Sequence, residues 1–423
     1  MPTTGSLPRD VPVLFATRIL RLFAYGFLSV VLVLYLAASG LGENQIGLLL
    51  TLTLVGDAAI SLWITTSADR VGRRRMLVVG AALMMFAGIL FAATRSFLPL
   101  LIAATLGVIS PSGNEVGPFL AIEQAALADG VAAEKRPAVF AWYNLAGSFA
   151  TALGALAGGG LAQALQAGGA SPLSSYRAVV LGYALIGLAL SAIFLRLSPA
   201  IEPPPKRVME RPAFFRADLG LGPSRGIVLR LAGLFTIDSF AGGFIVQAFV
   251  AYWFHTRFGV APAVLGSIFF GANILAGISA LTATRLARRI GLLNTMVLTH
   301  IPSNVLLFLV PLMPSLPLAV AVLLARFSIS QMDVPARQAY TMALVAPGER
   351  SAAAGVTGIA RTVGASLSPL VASPLYASAA LSSFPFFICG GLKILYDLLI
   401  WWSFRRVPLP EESPTSVPRA AGR

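Results

Sequence analysis

The sequence predicts an all-α membrane protein with twelve transmembrane helices in two six-helix repeats. The first observation behind this prediction is composition: 57% of the 423 residues are hydrophobic and 11% are charged, whereas a soluble domain carries about 25% charged residues. The second is length, because apolar runs of about 20 residues recur from end to end, enough to cross a hydrocarbon core of about 30 Å as a helix. The runs lack the apolar–polar alternation of a membrane β-barrel.

The apolar runs divide the chain into two halves, an N-terminal half (1–197) and a C-terminal half (229–406). The predicted helices span residues 13–38, 45–67, 76–95, 98–121, 138–164, 176–197, 229–254, 263–284, 292–312, 316–336, 352–377 and 384–404. The polar linker between the halves, 198–228, is predicted to be either a solvated loop or a loop with a short helix on the membrane surface. The Pro-rich cytoplasmic tail, 407–423, is predicted to be disordered.

The connection between predicted helices 2 and 3, residues 67–75, is strongly basic, with four arginines among its last six residues. Lys and Arg resist translocation, so this connection and both termini are expected in the cytoplasm. Most other Lys and Arg residues fall on the same predicted side, whereas Arg95, Arg177 and Arg257 fall on the other. The net charge of +14 therefore indicates orientation in a plasma (inner) membrane rather than nucleic-acid binding.

The two halves share short sequence similarities at an almost constant offset. At a shift of about 219 residues, 68–72 (ADRVG) falls on 287–291 (ARRIG), and 45–47 (QIG) falls on 264–266 (VLG). At a shift of about 218, Glu115 falls on Asp333. A near-constant offset across several helices indicates an internal duplication, and repeats of this kind are typical of transporters whose site lies near the bilayer midplane between the repeats.

The whole chain resembles the major facilitator superfamily of transporters. The resemblance rests on the twelve predicted spans, the repeat, the basic linker and the segment 69–74 (DRVGRR), which is similar to the family signature G-x-x-x-D-R-x-G-R-R. Thr65 replaces the leading Gly, and the second half has Arg288 where the Asp would be. The resemblance implies alternating access by rocking of the halves, with a central cavity lined by helices 1, 4, 7 and 10.

The resemblance also implies that the signature loop latches the cytoplasmic face. The Asp69 carboxylate can accept hydrogen bonds from arginines and from N–H groups at a helix start, and such a latch can form in one state and break in the other. The alternative is that the arginines only set topology. The predicted latch residues are Asp69, Arg70, Gly72, Arg73, Glu123, Arg136, Asp333 and Arg350.

Ionisable residues inside the predicted helices are the main candidates for a site. Each costs roughly 2.5–3.5 kcal/mol at a helix centre on insertion scales, so each needs a functional or structural reason. Structural ion pairs are the alternative, such as Arg21 with Asp57 or Glu115, and Lys393 is expected to neutralise Asp397 one turn away. The candidate cavity and substrate-binding residues are Arg21, Tyr25, Asp57, Asn144, Asp238, Gln247, Asn273 and Arg326.

Proton coupling would require a buried carboxylate that takes up a proton near neutral pH. Asp57 and Asp238 lie at suitable depths in the predicted helices, and Glu115 is the third candidate. Of the two histidines, His255 is expected at the membrane interface and His300 in helix packing. The segment 154–159 (GALAGG) is similar to the G-P-x-x-G-G element of the antiporter branches, although general packing of small residues is an equal explanation.

These features predict a secondary active transporter, with proton-coupled efflux of a small organic compound as the first interpretation. A carrier for an organic or inorganic anion is the alternative, because Arg18, Arg21, Arg326 and Arg361 place guanidinium groups in the membrane. A non-transporting membrane sensor is the minor alternative. We expect a monomer and no enzyme activity, cofactor or metal site, since the sequence has no phosphate-binding loop and only one Cys and two His.

Overall fold

The computed structural model describes residues 10–115, 117–132, 135–202, 221–346 and 349–407, and within these ranges it contains helices and no strand. The helices are α1 (Asp10–Ser29), α2 (Leu32–Ala38), α3 (Glu43–Val71), α4 (Arg73–Ala93), α5 (Phe97–Leu106), α6 (Phe119–Gly130), α7 (Arg136–Ala167), α8 (Pro172–Phe194), α9 (Arg225–Gly243), α10 (Gln247–Phe258), α11 (Pro262–Ile290), α12 (Leu292–Leu309), α13 (Leu316–Phe327), α14 (Asp333–Leu344), α15 (Arg350–Ala377) and α16 (Phe384–Phe404). Two short 3₁₀ turns lie at Pro199–Ile201 and Val310–Leu312.

The described chain confirms an all-α membrane protein. Nine of its segments are long and apolar enough to cross a membrane, and two shorter apolar helices, Phe97–Leu106 and Leu316–Phe327, occupy parts of the fourth and tenth predicted spans. The eleventh predicted span coincides with α15, which has 28 residues. The exact number of twelve spans stays a prediction.

Local sequence explains where the helices start and stop. α8 begins with Pro172, whose missing N–H is not needed in a first turn, and the side chain of Ser171 caps it by accepting a hydrogen bond from the N–H of Ser174 at 3.2 Å. α10 ends at Phe258, and the residue that follows it, Gly259, has a φ of 65°, the left-handed conformation that glycine adopts without strain.

Four predicted helices, the first, fourth, seventh and tenth, are interrupted in the structure, although the sequence predicts each of them to be continuous. The longest of these interruptions lies between α5 and α6, and its described residues include Pro111 and two glycines with positive φ, Gly113 (72°) and Gly117 (82°). Non-helical backbone at membrane depth is tolerated where it is buried in protein or lines a cavity. The interruption fits this rule, because Ser112, Asn114 and Glu115 line the central cavity.

Two helix pairs make the main contacts between the halves: α7 packs on α11, and α3 packs on α15. Small residues allow the close approach. A Cβ atom on Gly159 of α7 would lie 2.2 Å from the carbonyl oxygen of Pro262 on α11. Gly154 and Gly158 of α7 contact the α1 backbone in the same way. The glycine-rich element of predicted helix 5 therefore packs α7 between α1 and α11.

The halves are closed on one face and separated on the other. We define the arginine-rich face as the end that carries Arg73–Arg75 and the last turn of α11, and the opposite face as the end that carries Gly259. Towards the opposite face, the N–H of Ala248 donates to the carbonyl of Pro111 across the halves at 3.0 Å. Near the arginine-rich face, α6 and α14 pack mainly on helices of their own halves. The central cavity therefore opens towards the arginine-rich face.

Candidate functional site

A central cavity of about 630 Å³ lies between the two halves. Its volume is in the range of pockets that hold small molecules, and both halves contribute polar groups to its wall. Polar and charged residues in the lining are Arg18, Ser112, Asn114, Glu115, Asn144, Ser148 and Thr151 from the N-terminal half, and Gln247, Asn273, Arg326, Gln331, Gln338, Arg361 and Lys393 from the C-terminal half.

The charged part of the cavity wall is strongly cationic. Among the described residues it consists of four cations, Arg18, Arg326, Arg361 and Lys393, and one carboxylate, Glu115. Arg18 is ion-paired with Glu115, and Lys393 is ion-paired with a carboxylate behind the wall. The guanidinium groups of Arg326 and Arg361 are left, and neither has a carboxylate within 4.0 Å in the described chain.

These two guanidinium groups have weak local contacts. The Arg326 Nε is buried without a hydrogen-bond partner among the described residues, and its guanidinium carbon lies 5.1 Å from the ring centre of Phe327. Arg361 donates from Nε to the Ser239 hydroxyl at 3.3 Å. Since an Arg carries five donors in a planar fork, most of this donor capacity is available to a bound group.

Behind the N-terminal wall, Arg21 is the centre of a buried ion-pair network. Its side chain has 0% exposure, and it binds both oxygens of Glu123 at 2.7 and 2.8 Å in a bidentate arrangement. It also reaches Glu115 at 2.9 Å. Thr17 and Tyr143 donate their hydroxyls to Glu123 as well. Two arginines, Arg18 and Arg21, thus balance two carboxylates, and each charge is hydrogen-bonded, as burial requires.

This network corrects two expectations from the sequence. Arg21 was expected in the cavity, but it lies behind Arg18 because two carboxylates hold its guanidinium there. Glu123 was expected in the latch, but it is fully buried in this network. The sequence suggested an ion pair of Arg21 with Asp57 or with Glu115, and the structure contains the pair with Glu115.

Asp57 and Tyr25 also lie outside the described cavity lining. Tyr25 is fully buried. Asp57 is half-buried, with Oδ1 lacking a hydrogen-bond partner in the described residues, and it accepts a hydrogen bond from the N–H of Gly117. Its position follows from packing: a Cβ on the neighbouring Gly56 would lie 1.9 Å from the Thr105 carbonyl of α5, so this part of α3 faces its own half.

A second buried network lies behind the C-terminal wall, with Asp238 at its centre. Lys393 donates to its Oδ1 at 2.5 Å, and Arg337 donates to its Oδ2 at 2.8 Å. Arg337 also approaches Asp333, one turn earlier on α14, at 3.4 Å. Asp238 was expected in the cavity and Asp333 in the latch, but the cations on α14 and α16 hold both carboxylates inside the C-terminal half.

The same network corrects the pairing proposed on predicted helix 12. Lys393 does not bind Asp397; instead, Asp397 binds His300 of α12, with Nδ1 at 2.8 and 3.0 Å from the two carboxylate oxygens. Both residues are buried. Spacing along one helix suggested the Lys393–Asp397 pair, but closer partners on α9 and α12 compete for these side chains.

At the arginine-rich face, the start of α4 is bound to the segment that follows α8. Glu202 accepts hydrogen bonds from the N–H groups of Arg73 and Arg74 at 2.6 and 3.2 Å, where the helix dipole favours a carboxylate. Arg73 also forms an ion pair with Asp129 at 2.9 Å. Gly72, with φ 113°, allows the sharp turn between α3 and α4.

The remaining predicted latch residues are engaged locally or lie outside the description. Arg136 donates to the Val131 carbonyl at 3.0 Å, and Arg350 donates to the Met342 carbonyl at 3.1 Å. Arg70 is exposed. The side chain of Asp69 lies outside the described residues, as do the linker residues 203–220 and the tail residues 408–423. A latch role for this group stays a prediction.

Sequence reasoning located part of the cavity wall and missed another part. Four of the candidate cavity residues line the cavity: Asn144, Gln247, Asn273 and Arg326. Lys393 was missed as a wall residue, and Arg337 was not singled out at all. The sequence does contain a signal for Arg337: it lies four residues after Asp333, which is the spacing of an ion pair within one helix.

Comparisons with known proteins agree with this architecture. Residues 14–369 match the family model described as Major Facilitator Superfamily. The chain is 32% identical over 418 residues to an uncharacterized membrane protein of Saccharomyces cerevisiae, with 93% of each chain covered.

Solved transporters share the fold at low sequence identity. A D-xylose–proton symporter has a TM-score of 0.70 and 15% identity, covering 93% of this chain and 97% of its own. A nucleoside transporter has a TM-score of 0.70 and 13% identity, covering 94% and 100%. At these identities the likeness shows the fold alone. The family match and the helical cavity architecture agree, and this chain belongs to the major facilitator superfamily as a membrane transporter rather than an enzyme.

Proposed function

We propose that this transporter moves a small organic anion by alternating access, with the anionic group bound by Arg326 and Arg361. The observation that carries the proposal is that both guanidinium groups line the cavity without a carboxylate partner in the described chain. An unpaired charge in a membrane protein is costly. An anionic cargo would neutralise the pair, and a guanidinium suits carboxylate and phosphate groups because it binds them in a bidentate manner.

The rest of the cavity wall favours a cargo that also carries neutral polar groups. Asn144 and Ser148 bring an amide and a hydroxyl group to the wall. The Gln247 amide donates to Ser29 at 2.8 Å and accepts from Asn273 at 3.2 Å, and Asn273 also donates to the Phe269 carbonyl at 2.8 Å. The volume of about 630 Å³ fits a metabolite-sized molecule. We therefore infer a hydroxylated or carbonyl-bearing organic anion as the substrate class.

Proton-coupled efflux, the first interpretation from the sequence, has less support from the cavity. The glycines of α7 that resemble an antiporter element are accounted for by contacts with α1 and α11. The one carboxylate of the described wall, Glu115, is shared by Arg18 and Arg21. An organic cation would therefore meet four cations and no unpaired carboxylate.

Thermal stabilisation of the purified protein tests the proposal, because a ligand that binds only the folded state raises the melting temperature by mass action. The probes are lactate, succinate, citrate, inorganic phosphate and the cation tetraphenylphosphonium. We expect stabilisation by at least one of the organic anions, and loss of that stabilisation in both Arg326→Gln and Arg361→Gln.

The matched control is Arg257→Gln, which removes an exposed arginine at the end of α10, away from the cavity. It should retain the stabilisation in full. Stabilisation by tetraphenylphosphonium and by none of the anions would contradict the proposal, as would anion stabilisation that survives in both cavity variants.

A further inference from the structure

The cluster behind the C-terminal wall connects a cavity cation to a buried histidine, and this connection goes beyond binding of the anion. Lys393 lines the cavity and donates to Oδ1 of Asp238. The same oxygen lies 4.0 Å from Nε2 of His300. Oδ1 of Asp238 therefore stands between a cation on the cavity side and an imidazole on the far side.

The hydrogen bond to Asp397 sets the protonation pattern of this imidazole. An ionised carboxylate accepts hydrogen bonds and does not donate them, so with Asp397 ionised the Nδ1 of His300, at 2.8 Å from it, carries the ring proton. In the neutral ring, Nε2 then has a lone pair and faces Asp238. Proton uptake at Nε2 creates an imidazolium with a carboxylate on each side.

We propose that His300, held by Asp397, is the proton-uptake site that couples proton movement to anion movement. When an anion in the cavity attracts the Lys393 ammonium, Oδ1 of Asp238 loses its nearest donor. Protonation of His300 at Nε2 places a replacement positive charge 4.0 Å from that oxygen. By linkage, a proton on His300 releases Lys393 for the anion, so that anion and proton favour each other's binding. The result is symport of the two, and this inference rests on the proposed function.

The other charged groups around His300 support this assignment. From α16, Asp397 and Lys393 face the cluster, and the ring of Tyr396 lies 6.1 Å from the imidazole. From α14, Arg337 binds Oδ2 of Asp238 rather than Oδ1, and Asp333 binds Arg337. α13 contributes Arg326, whose Nε has no hydrogen-bond partner among the described residues. α11 carries its charged residues only in its last turns, at 285, 288 and 289.

Lys393 is thus the cation that shares an oxygen of Asp238 with the imidazole. Arg361 acts on the cluster from a greater distance, because its described hydrogen bond goes to Ser239. Arg337 remains on Oδ2 whether or not Lys393 moves. The exchange between Lys393 and His300 near Oδ1 therefore leaves Asp238 with two nearby cations in each state.

The protein has two histidines, which permits a direct measurement without knowledge of the cargo. Histidine labelled with ¹³C is incorporated, and the two ring signals are followed against pH in detergent; His255→Gln assigns them. We expect Lys393→Gln to raise the pH midpoint of the His300 signal by about one unit or more. Lys393→Arg, which keeps the charge, and Arg326→Gln, which removes a cavity cation that is not bonded to Asp238, should leave it near the wild-type value.

Transport supplies the second measurement. Proteoliposomes that contain a trapped pH dye receive an inward gradient of lactate, succinate or citrate. We expect acidification of the lumen with each anion that stabilises the wild-type protein, loss of this acidification in His300→Gln, and its retention in His255→Gln, since His255 contacts only the Val260 carbonyl at 2.8 Å among its described hydrogen bonds.

The outcomes separate the two proposals. If no anion stabilises the protein but Lys393→Gln moves the His300 midpoint, the anion proposal fails while the Lys393–His300 linkage holds. The coupling proposal is overturned if the midpoint stays unchanged in Lys393→Gln. It is also overturned if His300→Gln acidifies the lumen like wild type, or if Asp57→Asn abolishes acidification and His300→Gln does not.

Discussion

Lys393 on α16 donates to Oδ1 of Asp238 on α9 at 2.5 Å. The two residues are 155 positions apart, and the bond ties the first and last helices of the C-terminal half together behind the cavity wall. The opposite oxygen of Asp238 binds Arg337 of α14, so one carboxylate connects three helices. Removal of the Asp238 carboxylate would leave two buried cations, Lys393 and Arg337, next to each other.

We therefore expect Asp238→Asn to lower the stability of the protein by about 3–5 kcal/mol, the usual effect of removing one partner from a buried ion pair. The melting temperature in detergent measures this. Asp238→Asn combined with Lys393→Gln should regain part of the loss, because the double variant removes one charge of each sign. A double variant that is less stable than Asp238→Asn would contradict the pairing.

The bidentate pair between Arg21 and Glu123 predicts a second site of high sensitivity. Both side chains have 0% exposure, so Glu123→Gln leaves a guanidinium in the protein interior with only Glu115 to balance it. We expect a loss of about 3–5 kcal/mol, measured by thermal unfolding. Glu115→Gln is the matched comparison: its side chain is 14% exposed at the cavity, so water can solvate the arginine it leaves, and the loss should be smaller.

The crossing of α7 and α11 predicts that Gly159 controls closure of the opposite face. A Cβ at Gly159 meets the Pro262 carbonyl oxygen at 2.2 Å, whereas one at Gly160 meets nothing within 4 Å. Gly159→Val should therefore separate the halves at the opposite face and reduce transport severely, and Gly160→Val should transport like wild type. Equal activity of the two variants would show that this contact does not close the protein.

The direction in which the cavity opens predicts its chemical accessibility. In a Cys389→Ser background, Gln338→Cys places a thiol on the described cavity wall, on α14. We expect a membrane-impermeant maleimide to label it from the arginine-rich face, which the positive-inside rule assigns to the cytoplasm. Phe384→Cys, at the exposed start of α16 near the opposite face, should be labelled only from the other side. Reversed labelling of the two variants would invert the orientation.

The sequence by itself determined the class of the protein and part of its cavity. Hydrophobic runs of membrane length, the repeat and the segment 69–74 were sufficient for the fold and the family. Polar residues such as Asn144 and Asn273, which the sequence singles out as candidates, line the described cavity, because a polar group in a membrane helix avoids lipid and faces the interior of the bundle.

Only the tertiary structure decided which charges pair. Arg21 and Glu123 are 102 residues apart, and Asp238 and Arg337 are 99 apart, whereas sequence periodicity relates residues only within one helix. The spacing of Lys393 and Asp397 therefore suggested a pair that packing against α9 and α12 replaces. Which cations remain unpaired, and hence the sign of the cavity, follows from those contacts between helices. Arg18, Arg21, Arg337 and Lys393 are ion-paired, and Arg326 and Arg361 are left at the wall without a carboxylate partner in the described chain.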